Sequence, residues 1–246
     1  MKLIYQGPSL IDGEEIVVLA SGVNTPSKNA KTGPMIQTYI MRADQNPNEA
    51  VKTGDDYSIC GNCIHRGLNG AKRTCYVLVH QGPNMIWKKY LRLKDNLTPL
   101  TDDELVELGR GRSIRLGAYG DPLAAPTAKW AHLLQEADGH TGYSHLWETG
   151  DQAMSKWCMA SVDSDAEMIK AQAAGWRTYR VVTDLALRTE HEALCPASTE
   201  SECKAPINCD QCRACNGNSK GHNGSIIVQV HGAQWKKNAF ASIAVQ

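Results

Sequence analysis

Five cysteines crowd into 21 residues near the C-terminal end of this 246-residue chain, and the last three read Cys209-Asp-Gln-Cys212-Arg-Ala-Cys215. A Cys-x2-Cys-x2-Cys run lets three thiolates reach the corners of one cubane iron–sulfur cluster. Cys195, followed by Pro196, is the natural fourth ligand, with Cys203 in reserve. Zinc, which usually takes its cysteines in pairs, is the first alternative, and plain structural thiols are the second. Pro196, Pro206, Asn208, Asn216 and Gly217 give the stretch a composition suited to a loop wrapped round a cluster. The expected cofactor is a [4Fe–4S] cluster on Cys195, Cys209, Cys212 and Cys215.

A second group lies upstream: Cys60-Gly-Asn-Cys63-Ile-His65, then Cys75 after eleven intervening residues. With His65 or His80 these thiols would suit tetrahedral zinc. Without a fourth protein ligand, Cys60, Cys63 and Cys75 could hold an iron–sulfur cluster with one open iron. They could also serve the C-terminal site, or bind no metal. Cys75 directly precedes an expected strand, so a regular barrel would set it on the face opposite Cys195. Cys158 reads as a small core residue.

The elements that must position these groups are short apolar strands alternating with amphipathic helices. Strands are expected at 16–20, 35–41, 76–79, 113–117, 141–146, 157–161, 177–182 and 226–230, several of them apolar on both faces as buried parallel strands require. Thr101 with Glu104, and Ser164 with Glu167, form capping boxes ahead of apolar stripes. Trp130, Leu133, Leu134 and Ala137 form another stripe, closed by Gly139; Gly175 closes the helix after Ser164. Eight strands in this rhythm describe an α/β fold, an irregular (βα)8 TIM-barrel-like domain spanning 1–246, with the cysteine-rich loop between strands seven and eight. An open doubly wound sheet is the competing architecture.

In a barrel, reactive groups gather after the C-terminal ends of strands. Arg115, Asp121, His145, Asp163, Arg180 and His231 occupy such places. Each also has an ordinary structural reading as a turn, cap or packing residue. The formal charge is zero, with 26 basic and 26 acidic residues interspersed, which argues against a nucleic-acid partner. No 18-residue apolar span or cleavable leader is evident, so no membrane is expected and the expected location is cytoplasmic. In that reducing compartment nine cysteines point to metal rather than disulfides.

Several phrases resemble, as a set, a family of uncharacterised phage-encoded proteins. They are Cys60-Gly-Asn-Cys-Ile-His-Arg66, Cys75-Tyr-Val77, Arg115-Leu-Gly-Ala-Tyr-Gly-Asp-Pro122 and Thr141-Gly-Tyr-Ser-His145. Met159-Ala-Ser-Val-Asp163, Gly175-Trp-Arg177, Cys195-Pro-Ala-Ser198, the Cys209–Cys215 run and His231-Gly232 complete the set. The resemblance covers roughly residues 15 to 232 and implies a [4Fe–4S] protein with a barrel-like fold acting in the cytoplasm of a bacterial host. Cys203 falls outside its recurring pattern. The chain is also partly similar to radical S-adenosylmethionine enzymes, whose hallmark Cys-x3-Cys-x2-Cys follows the first strand; here the close run lies near the other end. Three functions are expected, in this order: electron transfer with an unknown redox partner, a barrel enzyme acting on a small molecule, and a zinc-stapled interaction protein.

Overall fold

The computed structural model describes residues 1–67, 72–198, 200–201, 207–219 and 224–243. The chain opens with an antiparallel meander of β1 (Lys2–Pro8), β2 (Glu15–Ser21) and β3 (Ile36–Arg42). Ile16 to Ala20 are all fully buried, because β2 is covered on both faces. A long excursion follows, holding α1 (Pro47–Thr53), α2 (Tyr57–Cys60), α3 (Gly82–Leu93) and α4 (Asp102–Gly109). It returns as β4 (Ser113–Tyr119), parallel to β3. Next come α5 (Thr127–Leu134), β5 (Gly139–Thr141), β6 (Tyr143–Ser144) and β7 (Met159–Val162). The chain continues through α6 (Asp165–Ala173), β8 (Thr178–Val182) and β9 (Glu192–Leu194). It ends with α7 (Cys209–Cys212), β10 (Ser225–Gln229) and α8 (Gln234–Ile243).

The strands form two five-stranded sheets, ordered β1-β2-β3-β4-β5 and β6-β7-β8-β10-β9. From β3 onward every pairing is parallel. The sheets are successive stretches of one chain pass, parted at Gly142. There the ladder gives way to a bond from Gly142 N–H to the Cys215 carbonyl (3.0 Å) and one from Met159 N–H to the Gly142 carbonyl (2.9 Å). One apolar core runs from Leu3 in β1 to Trp176 before β8. Trp130 of α5 is fully buried in it, and its indole N–H donates to the Pro122 carbonyl at 2.8 Å, which removes the cost of burying that polar tip.

The fold is thus mixed α/β with parallel-rich sheets, and it departs from the expected barrel in identifiable places. No pairing joins β9 back to β1 among the described residues, so a closed eight-stranded ring is not shown. The expected first strand is β2, which runs antiparallel to its neighbour. The 76–79 segment is not a strand, although its residue types favour one. Just before it, Thr74 and Cys75 donate their N–H groups to the His65 carbonyl, at 3.2 and 3.1 Å, which ties the segment to the excursion instead of a sheet. Gly139 begins β5 rather than capping α5. The cysteine-rich loop lies between the unforeseen short β9 and β10. The Thr101–Glu104 capping box forms as expected. At α6, Ser164 caps the helix, but the Glu167 carboxylate bonds the N–H of Asp163, one residue upstream of the cap. Among the described residues no helix is long and apolar enough to cross a membrane.

Candidate metal centres

The C-terminal loop is held by backbone bonds that carry its cysteines toward one another. Cys195 N–H, just past β9, donates to Ile227 of β10 at 2.9 Å. Cys209 N–H donates to the Lys31 carbonyl at 2.9 Å, and the Cys215 carbonyl receives Gly142. Asn208 and Gln211 close a capping box around the short α7, so Cys209 and Cys212 lie on one helical turn. The buried Arg177 guanidinium organises the chain beyond α7. It donates to the carbonyls of Ala214 (2.9 Å), Gly217 (2.6 Å) and Gly224 (2.6 Å), and to the Asn216 side-chain oxygen (3.1 Å).

Cys195, Cys209, Cys212 and Cys215 are electrostatic neighbours. Burial pushes the Cys215 thiol up to about 12; a hydrogen bond from Tyr143 opposes the shift and the other three sulfurs reinforce it. Burial likewise raises Cys195 and Cys209, while Lys31 pulls both down and Arg115 pulls down Cys209. Buried neighbouring thiols ionise together only beside strong positive charge, such as a bound multivalent cation. Tetrahedral zinc would hold its sulfurs about 3.8 Å apart, given Zn–S bonds of about 2.3 Å. Among the described residues no three cysteine sulfurs all lie within 4.8 Å of one another. Cys203, the reserve ligand, lies outside the described residues.

The second thiol group lines an inner cavity of about 190 Å³. Its walls include residues at or just past the C-terminal ends of β4, β6 and β7, namely Tyr119, Asp121, His145 and Asp163, together with Tyr143 of β6 and Tyr179 and Val181 of β8, and Cys60, Cys63 and Cys75 line it with them. Cys60 ends α2, Cys63 follows one turn later, and the bonds to His65 fold Cys75 back beside them. The buried Arg66 locks this turn through Asp56 and the carbonyls of Gly54 and Gly61. Cys75 therefore sits at the strand C-terminal ends, contrary to the face expected of it, because no strand follows it. Burial raises the Cys60 thiol well above its usual value, with Cys63, Asp56 and Cys75 adding to the shift and Arg73 opposing it. Of the two groups only the trio lines the inner cavity; Cys195, Cys209, Cys212 and Cys215 are not among its lining residues.

Beside the trio runs a chain of titratable groups. His65 Nε2 is 2.9 Å from Asp163 Oδ1, and its Nδ1 is 2.7 Å from the Thr74 hydroxyl. His145 Nε2 is 3.6 Å from Asp163 Oδ2 and is buried without a hydrogen-bond partner, with Cys63 a near neighbour. Burial disfavours the His145 imidazolium, but the charges of Cys63 and Asp163 prevail and raise it well above its usual value. Burial alone would raise Asp163; the two imidazoles outweigh it and hold the carboxyl well below the usual range. Asp121 positions the group, accepting from Ser144 Oγ, His145 N–H and Leu123 N–H at 2.8, 2.8 and 3.0 Å. Donor atoms of His65, His145 and Asp163 lie within 4.8 Å of one another, a spacing a single metal ion could use.

Two further observations mark the cavity. The Tyr119 hydroxyl and Arg73 Nε are buried without a hydrogen-bond partner, as expected of groups that await a ligand. Phe240, the chain's one phenylalanine, enters from α8 and stacks on His65 with centroids 5.4 Å apart. A larger cleft of about 670 Å³ opens on the other side of Cys63, His145, Ser161 and Asp163, leading outward past Trp147 and Tyr57.

Of the six strand-end candidates, Asp121, His145 and Asp163 meet in the inner cavity. Arg115 lies beside Cys209. His231 is 3.3 Å from Lys31 Nζ and stacks on Tyr76. Arg180 is committed to structure, paired with Glu192 at 2.7 Å and with Asp165. Tyr119 and Tyr143 fall inside the 115–122 and 141–145 phrases without having been singled out, whereas Tyr179, Arg73 and Phe240 have no motif to mark them in the sequence. The chain matches no family model, no curated protein and no solved structure, so none of these comparisons identifies the phage iron–sulfur family its motifs resemble.

Proposed function

We propose that the chain is an iron–sulfur enzyme with two clusters: one on Cys60, Cys63 and Cys75 at the reaction cavity, and a [4Fe–4S] cluster on Cys195, Cys209, Cys212 and Cys215 as its electron store. One observation carries this reading. The excursion between β3 and β4, the first two strands of the parallel run, brings three thiols to a cavity lined at the C-terminal ends of β4, β6 and β7 by Tyr119, Asp121, His145 and Asp163. That placement resembles the radical S-adenosylmethionine enzymes more closely than the C-terminal run does, although the spacing Cys-x2-Cys-x11-Cys differs from their hallmark. It also calls for a barrel-like arrangement of β3 to β10, and barrels host many chemistries, so the site and not the fold bears the argument.

Bound by three thiolates, a cluster supplies single electrons and one iron open to a small molecule. The chain's own groups then divide the work. The Tyr119 hydroxyl and Arg73 Nε offer hydrogen bonds to the bound molecule. His145, charged beside Asp163, holds a proton at the cavity wall. Phe240 and α8 exclude water, and the outer cleft admits the substrate. The quartet saturates its cluster and leaves only electron exchange. The resemblance to phage-encoded proteins sets this activity in a bacterial host cytoplasm, with a one-electron donor as partner.

The test is anaerobic purification with iron, sulfide and zinc measured together, followed by addition of S-adenosylmethionine. About eight irons per chain, as two four-iron clusters require, with a spectrum that changes on addition, support the enzyme. About four irons and indifference to the ligand leave an electron-transfer protein. A colourless zinc protein overturns both. The His65–His145–Asp163 group favours a second reading, a mononuclear divalent metal in the cavity, since tetrahedral Zn–N bonds of about 2.05 Å set donors about 3.4 Å apart. In that case the cavity metal would disappear in His145→Ala and survive in Cys75→Ala.

A further inference from the structure

The two thiol groups are separated by a thin partition, and its composition is specific. Only Tyr143 and Tyr179, among the described residues, both line the inner cavity and pack against the cluster of Met159, Cys215, Ile226 and Cys195. Tyr143 comes from β6 and Tyr179 from β8, on either side of β7. Their rings meet edge to face, with centroids 4.6 Å apart and planes at 60°. The contact is more than apolar packing, because Tyr143 packs on Cys215 and each shifts the titration of the other, as a hydroxyl directed at a sulfur would. A purely structural partition on two parallel strands could be built from Leu or Phe, with no buried hydroxyl to satisfy.

We infer that the Tyr143–Tyr179 pair is the electron bridge between the two proposed clusters, and that Tyr143 sets the potential of the C-terminal one through its bond to Cys215. The inference rests on the two-cluster reading. The step is a single-electron transfer: the reduced C-terminal cluster is oxidised by one electron, the oxidised cavity cluster is reduced by one, and no bond forms or breaks. The tyrosines remain neutral and provide the path. The electron enters from a protein donor of the flavin or iron–sulfur class. A donor aimed at a cluster sulfur favours the more negative, reduced state, so this bond raises the potential.

The experiment is an EPR-monitored redox titration of the anaerobically reconstituted full chain beside Tyr143→Phe and Tyr179→Phe. The C-terminal signal is identified as the one Cys212→Ala removes. Removing one hydrogen bond to a charged sulfur should shift the one-electron equilibrium about tenfold toward oxidation, about 59 mV lower in potential. That shift should occur in Tyr143→Phe with iron content unchanged, and not in Tyr179→Phe, which donates nothing to a thiol. Tyr179→Ala, which opens the path while leaving the Tyr143 hydroxyl in place, should slow reduction of the cavity cluster after rapid mixing with dithionite by about tenfold or more. Eight irons with an unmoved potential in Tyr143→Phe, or an unchanged rate in Tyr179→Ala, overturn the bridge and leave the two-cluster reading standing. A chain that binds one cluster or none overturns the bridge by removing a terminus, and with it the two-cluster reading.

Discussion

Cys212 is half-buried among three other thiols, whereas Cys158 is fully buried in the main core against Gly142. The same residue type should therefore give opposite results on truncation. Cys212→Ala should abolish or strongly weaken the C-terminal cluster, and Cys158→Ala should leave its iron intact; iron and sulfide analysis checks both. Cys75→Ala should remove about four irons while sparing the quartet's. Asp163 allows a prediction independent of metal. Its carboxyl is held low by two imidazoles, so its stabilisation is present above the unfolded value of about 3.9 and is lost as pH falls through the folded one. In metal-free protein, denaturant unfolding should show wild type more stable than Asp163→Asn at pH 5 to 6, with the difference closing below about pH 4.

At the scale of elements, the loop that carries the quartet depends on a residue outside it. Arg177, just ahead of β8, meets three main-chain carbonyls and one amide oxygen of the cysteine loop. Arg177→Ala would strand these acceptors with little water to replace the donor, a loss of roughly 3 kcal/mol. Arg177→Lys should recover only part, since an ammonium lacks the planar fork. Both are checked by chemical unfolding and by iron retention. Arg177 stood in the Gly175-Trp-Arg177 phrase, but its role as a clamp had no signature in the sequence, because three of its four acceptors are backbone atoms that every residue possesses. The turn carrying Cys209 and Cys212 was legible, since its spacing is local and α7 needs only a capping residue. The grouping of Cys60, Cys63 and Cys75 was legible as a spacing but not as a place. Its position depends on an excursion returning to β4 and on the Thr74 and Cys75 N–H groups bonding the His65 carbonyl, and neither is encoded in apolar periodicity. β1 escaped because its Gly7 and Pro8 read as a turn, and β9 because three residues carry no period.

At the scale of the whole molecule, the two sheets, the cavity and the quartet meet at Gly142. A Cβ built there would lie 2.7 Å from the Cys158 sulfur and 3.2 Å from both the Trp157 carbonyl and Leu116. No side chain fits without moving β7 away from the junction, and β7 separates the strands that bear Tyr143 and Tyr179. Gly142→Ala should thus cost about 1–3 kcal/mol through overpacking. Its effect should extend to the cluster, because the Gly142 N–H holds the Cys215 carbonyl. Adding Cys158→Ala removes the nearest obstructing atom, so the double variant should regain part of both the stability and the bound iron. The backbone contact with Trp157 prevents full recovery. If Gly142→Ala unfolds at the wild-type denaturant midpoint with full iron content, the sheets do not transmit strain across this junction. The quartet would then be a separately held loop rather than part of the same packed unit as the cavity.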